Sequence, residues 1–217
     1  MRFNFITKKA LPKVLTLLQK TTPKLMSGFT LVELAVSVSI VSLIMLVVLF
    51  TYSSFNDNLA LSAAGQEVAS AVRQAQTYGL SVREVTAGGG QFTSAYGIYF
   101  DPRNDSTHYY IFVDKDGDGK YDQGNGCGRG NTECVERGIL RNNVIISSIC
   151  DASRCPPPEA RTLNITFLRP NPDATISFVN SGGAIVGNSL TGKVRLLSPK
   201  GKALTVTVES TGQISVQ

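Results

Sequence analysis

The chain has 217 residues and a formal net charge of +5, with no tryptophan, one histidine and four cysteines. That length suits one core-bearing domain of ordinary size plus an accessory segment, and it leaves little room for two. The positive charge does not imply a nucleic-acid partner: six of the 21 basic residues, Arg2, Lys8, Lys9, Lys13, Lys20 and Lys24, precede Gly28 with no acid among them, which leaves 15 bases against 16 acids.

Residues 1–28 therefore read as a basic leader. From Leu34 through Asn56 no side chain is charged. With Phe29 to Val32, this stretch supplies the roughly 20 apolar residues a helix needs to cross a ~30 Å hydrocarbon layer. Lysines before the span and none just after it put the N-terminal side in the cytoplasm and everything downstream outside. The four cysteines then lie in an oxidising compartment. A secretory signal would have a shorter apolar core followed by a small-x-small cleavage site, and no such site occurs near Tyr52 to Asn58. The small residues Ser27 and Gly28 lie before the run instead, so cleavage there removes the leader and keeps the apolar helix. One acid, Glu33, stands inside this segment. A carboxylate in or near hydrocarbon costs a few kcal/mol unless it is protonated or paired. A signal anchor whose carboxylate snorkels to the interface is the plain alternative. Glu33 lies one helical turn from Phe29, which makes a positive N-terminal amine, its own or a neighbouring subunit's, the natural partner.

These residues carry a family pattern. The stretch SGFTLVELAVSVSIVSLIML (27–46) resembles the N-terminal cleavage and methylation segment of type IV pilins and type II secretion pseudopilins, through Gly28, Phe29, Thr30, Leu31, Glu33, Leu34 and the apolar run. The resemblance implies a membrane-embedded prepilin peptidase that cuts between Gly28 and Phe29 and methylates the new amine of Phe29. Glu33 then becomes the fifth residue of the mature chain. It also implies a single-pass protein of the inner membrane with its head outside the cytoplasm, later assembled with other pilin or pseudopilin subunits into a pilus or pseudopilus. Many type IV pilins carry Gly and Pro inside this segment where this chain has Ser42 and Phe50. No proline occurs between Phe29 and Val85, so the helix has no sequence-encoded kink.

Residues 56–83 read as an amphipathic continuation of the 29–55 span, with Leu61, Ala64, Val68, Ala71 or Val72, Ala75 and Tyr78 on one face. Asn56 or Asp57 offers an alternative helix cap, although continuity better fits the family. From Phe29 to about Tyr78 the helix would be a rod of about 75 Å. The glycine-rich segment 84–95 ends it as a linker. From Tyr96 the period becomes strand-like, with runs at Tyr96–Phe100, Tyr109–Val113, Gly138–Leu140, Val144–Ile149, Thr162–Leu168, Ala174–Val179, Lys193–Leu197, Leu204–Val208 and Ile214–Val216. The expected class is α+β: a long N-terminal helix packed on a head, 96–217, rich in antiparallel sheet. The element order and the closing strand-turn-strand are most similar to the H-type minor pseudopilins and the T-type fimbrial minor pilins.

Within the head, Asp114, Asp116 and Asp118 alternate, Gly119 marks a sharp turn, Lys120 offers a backbone carbonyl and Asp122 follows. This is most of a calcium loop, in which hard oxygen donors from a folded-back segment surround a hard cation. The twelfth position holds Asn125 instead of a bidentate Glu, so Glu133, Glu136 or waters would have to complete the shell. An acidic hairpin turn without metal is the competing reading. Cys127, Cys134, Cys150 and Cys155 allow three pairings, of which the local ones, Cys127–Cys134 and Cys150–Cys155, are simplest. With no Cys-x-x-Cys pair, disulfides stapling an irregular insertion at 122–158 are favoured over zinc. His108 has no evident nucleophile or acid partner, and no Ser/His/Asp order or phosphate loop is visible, so an enzyme is not expected. The expected role is structural: a minor pilin or pseudopilin. A second class is a DNA- or surface-binding tip subunit using Lys193, Arg195, Lys200 and Lys202, against which stands a solvated sheet edge protected by lysines. A third is a membrane-tethered hydrolase.

Overall fold

In the computed structural model, which describes residues 28–81, 93–122, 127 and 133–217, one helix α1 runs without a break from Leu31 to Leu80. The basic leader before Gly28 and most of the glycine-rich linker lie outside the described residues. The chain divides into two units, one ending at Val48 and the other running from Leu49 to Gln217.

In the first unit the large apolar side chains of α1, from Leu31 to Val48, are all exposed. This part of the helix is long and apolar enough to span a membrane, near the N-terminus of the chain. Two of its serine hydroxyls are satisfied within the helix: Ser37 and Ser42 donate to the carbonyls of Glu33 and Val38 at 2.7 and 2.8 Å.

In the second unit the expected face of α1 is buried, with Leu61, Ala64, Val68, Ala71, Val72 and Ala75 all in the core. Asp57 does not cap a second helix. It is buried within α1 and its Oδ2 accepts the Ser198 hydroxyl at 2.7 Å. Gly65 permits close approach, since a Cβ there would stand 2.5 Å from Leu204 Cδ2. Further along, Gln76 Nε2 donates to the carbonyl of Pro172 at 3.1 Å.

The head is two antiparallel sheets, which makes the fold α+β. Its strands are β1 (Tyr96–Asp101), β2 (Asp105–Val113), β3 (Cys134–Ile139), β4 (Ile145–Cys150), β5 (Thr162–Phe167), β6 (Ala174–Val179), β7 (Ile185–Ser189), β8 (Thr191–Leu197), β9 (Ala203–Glu209) and β10 (Ile214–Val216). The larger sheet has the order β3-β2-β1-β5-β6-β7 and the smaller β10-β9-β8-β4. One face of each sheet meets α1 in a shared core: Ile98, Phe100, Ile111, Ile165 and Phe167 from one side, Ile146, Val194, Leu196 and Val206 from the other.

Two expectations need correction. Residues 122–158 are not an irregular insertion, because they supply an edge strand to each sheet, β3 and β4. Strand β7 was not foreseen. It is exposed from Ile185 to Asn188, and its two β-branched residues, Ile185 and Val186, are followed at once by Gly187 and Asn188, so the run shows no alternation and is too short to announce a strand.

The outer face of the larger sheet is also covered. Strand period 2 sends Tyr99 and Phe112 away from α1, and they are buried with Tyr121 and Cys134 in a second cluster. Tyr121 stacks on Tyr110 with centroids 5.6 Å apart and meets Tyr99 at 4.9 Å. This tyrosine pins the acidic loop to the sheet.

Candidate functional site

At the start of α1, the Oγ1 of Thr30 accepts the Glu33 N–H at 3.2 Å. Thr30 is thus the helix cap and Glu33 the third helical residue, the spacing of a capping box. A carboxylate here also complements the positive end of the helix dipole. The sequence carries this signal as Thr-x-x-Glu, and it adds a local role for Glu33 that reasoning from burial alone missed.

The acidic loop leaves β2 at Asp114, whose carboxylate closes it: Oδ1 accepts Gly117 N–H at 2.7 Å and Oδ2 accepts Gly119 N–H at 2.9 Å. Gly117 and Gly119 hold φ of 81° and 74°, which favours glycine at both turns. The non-local partner is Glu133, brought opposite by the bond from Val113 N–H to its carbonyl at 2.9 Å. Its side chain spans the loop, accepting Lys115 N–H at 2.9 Å and Asp122 N–H at 2.8 Å. Asp114, Asp116 and Glu133 each place a carboxylate oxygen within 4.8 Å of the others. Asp114 and Glu133 are each only 5% exposed. Burial pushes both carboxyls above their ordinary range; the backbone donors oppose this and neighbouring carboxylates, Asp116 for both, add to it.

Three clustered carboxylates with oxygens still able to accept suit a hard cation better than each other. Of the two acids that were candidates to complete the shell, Glu133 joins the cluster, whereas Glu136 accepts Gln74 Nε2 at 2.7 Å. The aspartates do not act alike. Asp118 turns to Lys120, its Oδ2 lying 2.7 Å from Nζ, and among the described residues neither it nor Asp122 belongs to the close group.

The four cations Lys193, Arg195, Lys200 and Lys202 do not form one patch. Lys193 and Arg195 line a groove of about 310 Å³ together with Arg154, which the Cys150–Cys155 loop carries into it. Asp151 shares that groove, but its Oδ1 accepts the Ser153 and Arg154 N–H groups at 2.7 and 2.6 Å. Lys202 instead donates to Asn58 Oδ1 at 2.7 Å, and Lys200 lines a different groove beside Asn56 and Asp57. The second disulfide joins Cys127 to Cys134, so both local pairings form. His108 has an acid partner after all: its Nδ1 lies 2.6 Å from Asp105 Oδ1. Burial raises the Asp105 carboxyl, but the Tyr110 hydroxyl and His108 outweigh it and hold the group below its ordinary value.

Architecture and site together define a class: a head of two antiparallel sheets carried on a helix whose first part is apolar and uncovered. Comparison with protein-family models, with curated proteins and with solved structures finds no match to this chain.

Proposed function

We propose that this protein is a minor pilin or pseudopilin, a structural subunit inserted in the inner membrane, processed between Gly28 and Phe29, and assembled helix to helix into a pilus or pseudopilus. The observation that carries this reading is the segment 29–48, a wholly exposed apolar helix whose single acid, Glu33, lies one turn from Phe29. A helix apolar all round has to be buried by lipid or by other helices. The Phe29 amine freed by cleavage gives Glu33 its charge partner. Mass spectrometry of the mature chain tests this directly. A polypeptide beginning at methylated Phe29 is the expected result, and an intact Met1 or a cut after the span excludes assembly by this route.

We read the acidic loop as a calcium site held by Asp114, Asp116 and Glu133, with the Lys120 carbonyl and waters as further oxygens. Calcium there would neutralise three crowded carboxylates and brace the loop against the sheet.

A second reading, contact with DNA at a filament tip, is favoured by the grouping of Arg154 with Lys193 and Arg195 in one groove. If that groove holds phosphates, binding weakens steeply with salt. Replacing Lys193 and Arg195 by alanine should make the log–log salt slope shallower by about two, at roughly 0.9 per phosphate contact on duplex DNA. An unchanged slope in filter binding or fluorescence anisotropy removes this reading.

A further inference from the structure

A cleft of about 260 Å³ opens on the outer face of the larger sheet, between the acidic loop and the β6–β7 hairpin. It is smaller than the ~300–1,000 Å³ typical of sites for drug-sized ligands, so it suits a single small molecule. Its lining is polar, and the hydrogen bonds already made inside the protein decide what that lining has left to offer.

At one wall, Arg161 Nη2 donates to Asn104 Oδ1 at 2.6 Å, and Asn104 Nδ2 donates to Asp101 Oδ2 at 2.7 Å. Asp101 is buried and saturated, since its Oδ1 also accepts the N–H groups of Arg103 and Asn104 at 3.1 and 3.0 Å. The guanidinium is therefore held in place by a neutral amide, and among the described residues no carboxylate lies within ion-pair distance of it. Its remaining N–H groups, in a rigid planar fork, keep their full charge.

At the floor and far wall the amides are used through their oxygens. Asn164, 1% exposed, accepts Tyr121 N–H on Oδ1 at 3.1 Å, and Asn180 Oδ1 accepts Gly182 and Ala184 N–H at 2.9 and 3.0 Å. These bonds orient both carboxamides and leave their N–H groups as donors. Lys120 also lines the cleft, but its Nζ is engaged by Asp118 Oδ2 at 2.7 Å and donates to the Gly183 carbonyl at 3.4 Å. With the Thr162 hydroxyl, the cleft has a surplus of donors around Arg161, the one cation of its described lining without a carboxylate partner. A ligand that fits must bring acceptors and one negative charge. Asp122 on the rim, next to the acidic loop, penalises a dianion and can accept from a ligand hydroxyl.

From this geometry we infer that the cleft binds a small monoanionic, hydroxyl-bearing carboxylate of the acidic-sugar class, with Arg161 receiving the carboxylate in a two-point contact. The inference does not rest on the filament reading or on calcium.

The test is titration of the full chain in detergent with galacturonate, followed by ligand-observed NMR or calorimetry, with glucose and inorganic phosphate as comparators. Galacturonate is expected to bind and glucose to bind at least about tenfold more weakly, the scale of a lost charge-assisted contact. Arg161→Gln should weaken galacturonate by about tenfold or more, while Arg154→Gln, in the other groove, should leave it unchanged. If Arg161→Gln lowers the melting temperature, Thr162→Val serves instead, with a loss of about threefold or more expected from the missing donor. Absence of galacturonate binding, equal binding of glucose, tighter binding of phosphate, or unchanged affinity in Arg161→Gln or Thr162→Val each overturns the inference.

Discussion

If the chain is processed and assembled as proposed, Glu33→Gln is expected to insert and to be cleaved at Gly28–Phe29, yet to enter filaments at a small fraction of the level of the natural chain. Glutamine at the third helical position still serves the capping box with Thr30, so helix α1 keeps its start. What the variant loses is the charge. Removing one partner of a buried ion pair strands the other, at a cost of about 3–5 kcal/mol, or more than 100-fold in association. Glu33→Val keeps the Thr30 cap, whose donor is the backbone N–H, but loses the side-chain half of the capping box as well as the charge, so it should assemble no better. The measurement is the ratio of sheared filament to membrane-retained protein, with the mature N-terminus checked by mass. Normal assembly of Glu33→Gln alongside failure of Glu33→Val would assign Glu33 to helix capping and remove the ion pair. Normal assembly of both would leave Glu33 with no part in assembly.

Calcium should raise the melting temperature of the head, and a chelator should reverse the gain. At a calcium concentration 100-fold above the dissociation constant, the linkage amounts to about 2.7 kcal/mol. For a unit of this size that is on the order of 5–10 °C. Asp114→Ala should abolish the gain and also lower the starting stability, because the Gly117 and Gly119 N–H groups lose their acceptor. Glu133→Gln is the sharper variant: its one amide oxygen can accept only one of the two loop N–H groups, so some starting stability is lost, and it has no charge for the metal. A calcium-dependent shift that survives in Glu133→Gln, or no shift in the natural chain, sets the calcium assignment aside. Asp118→Asn should keep most of the effect, since its carboxylate already faces Lys120.

Much of the scaffold was legible locally. The buried face of α1 followed from apolar residues at three- and four-residue spacing, and Leu61, Ala64, Val68 and Ala75 are indeed core. The antiparallel, strand-rich head and the final β8–β9–β10 meander followed from period 2 and turn residues. β7 escaped because an exposed edge strand need not alternate. The acidic loop was half legible: the spacing of Asp114 and Asp116 marks it, but alternate aspartates look equivalent in a list of residues. Only the folded loop sends Asp118 to Lys120 and draws in Glu133.

The sequence by itself determined where the apolar helix begins, which of its faces the head covers, and where a lone carboxylate stands in it. These depend on short repeating periods and on charge counted along the chain. Tertiary structure decided everything that relies on distant segments meeting. The pairing of β2 with β3 places Glu133 over the acidic loop. The Cys150–Cys155 loop sets Arg154 beside Lys193 and Arg195, while the turn after β8 takes Lys202 away to Asn58. Arg161 finds Asn104 across 57 positions of sequence. No local period encodes such contacts, because strand order and register specify them through burial of the whole sheet.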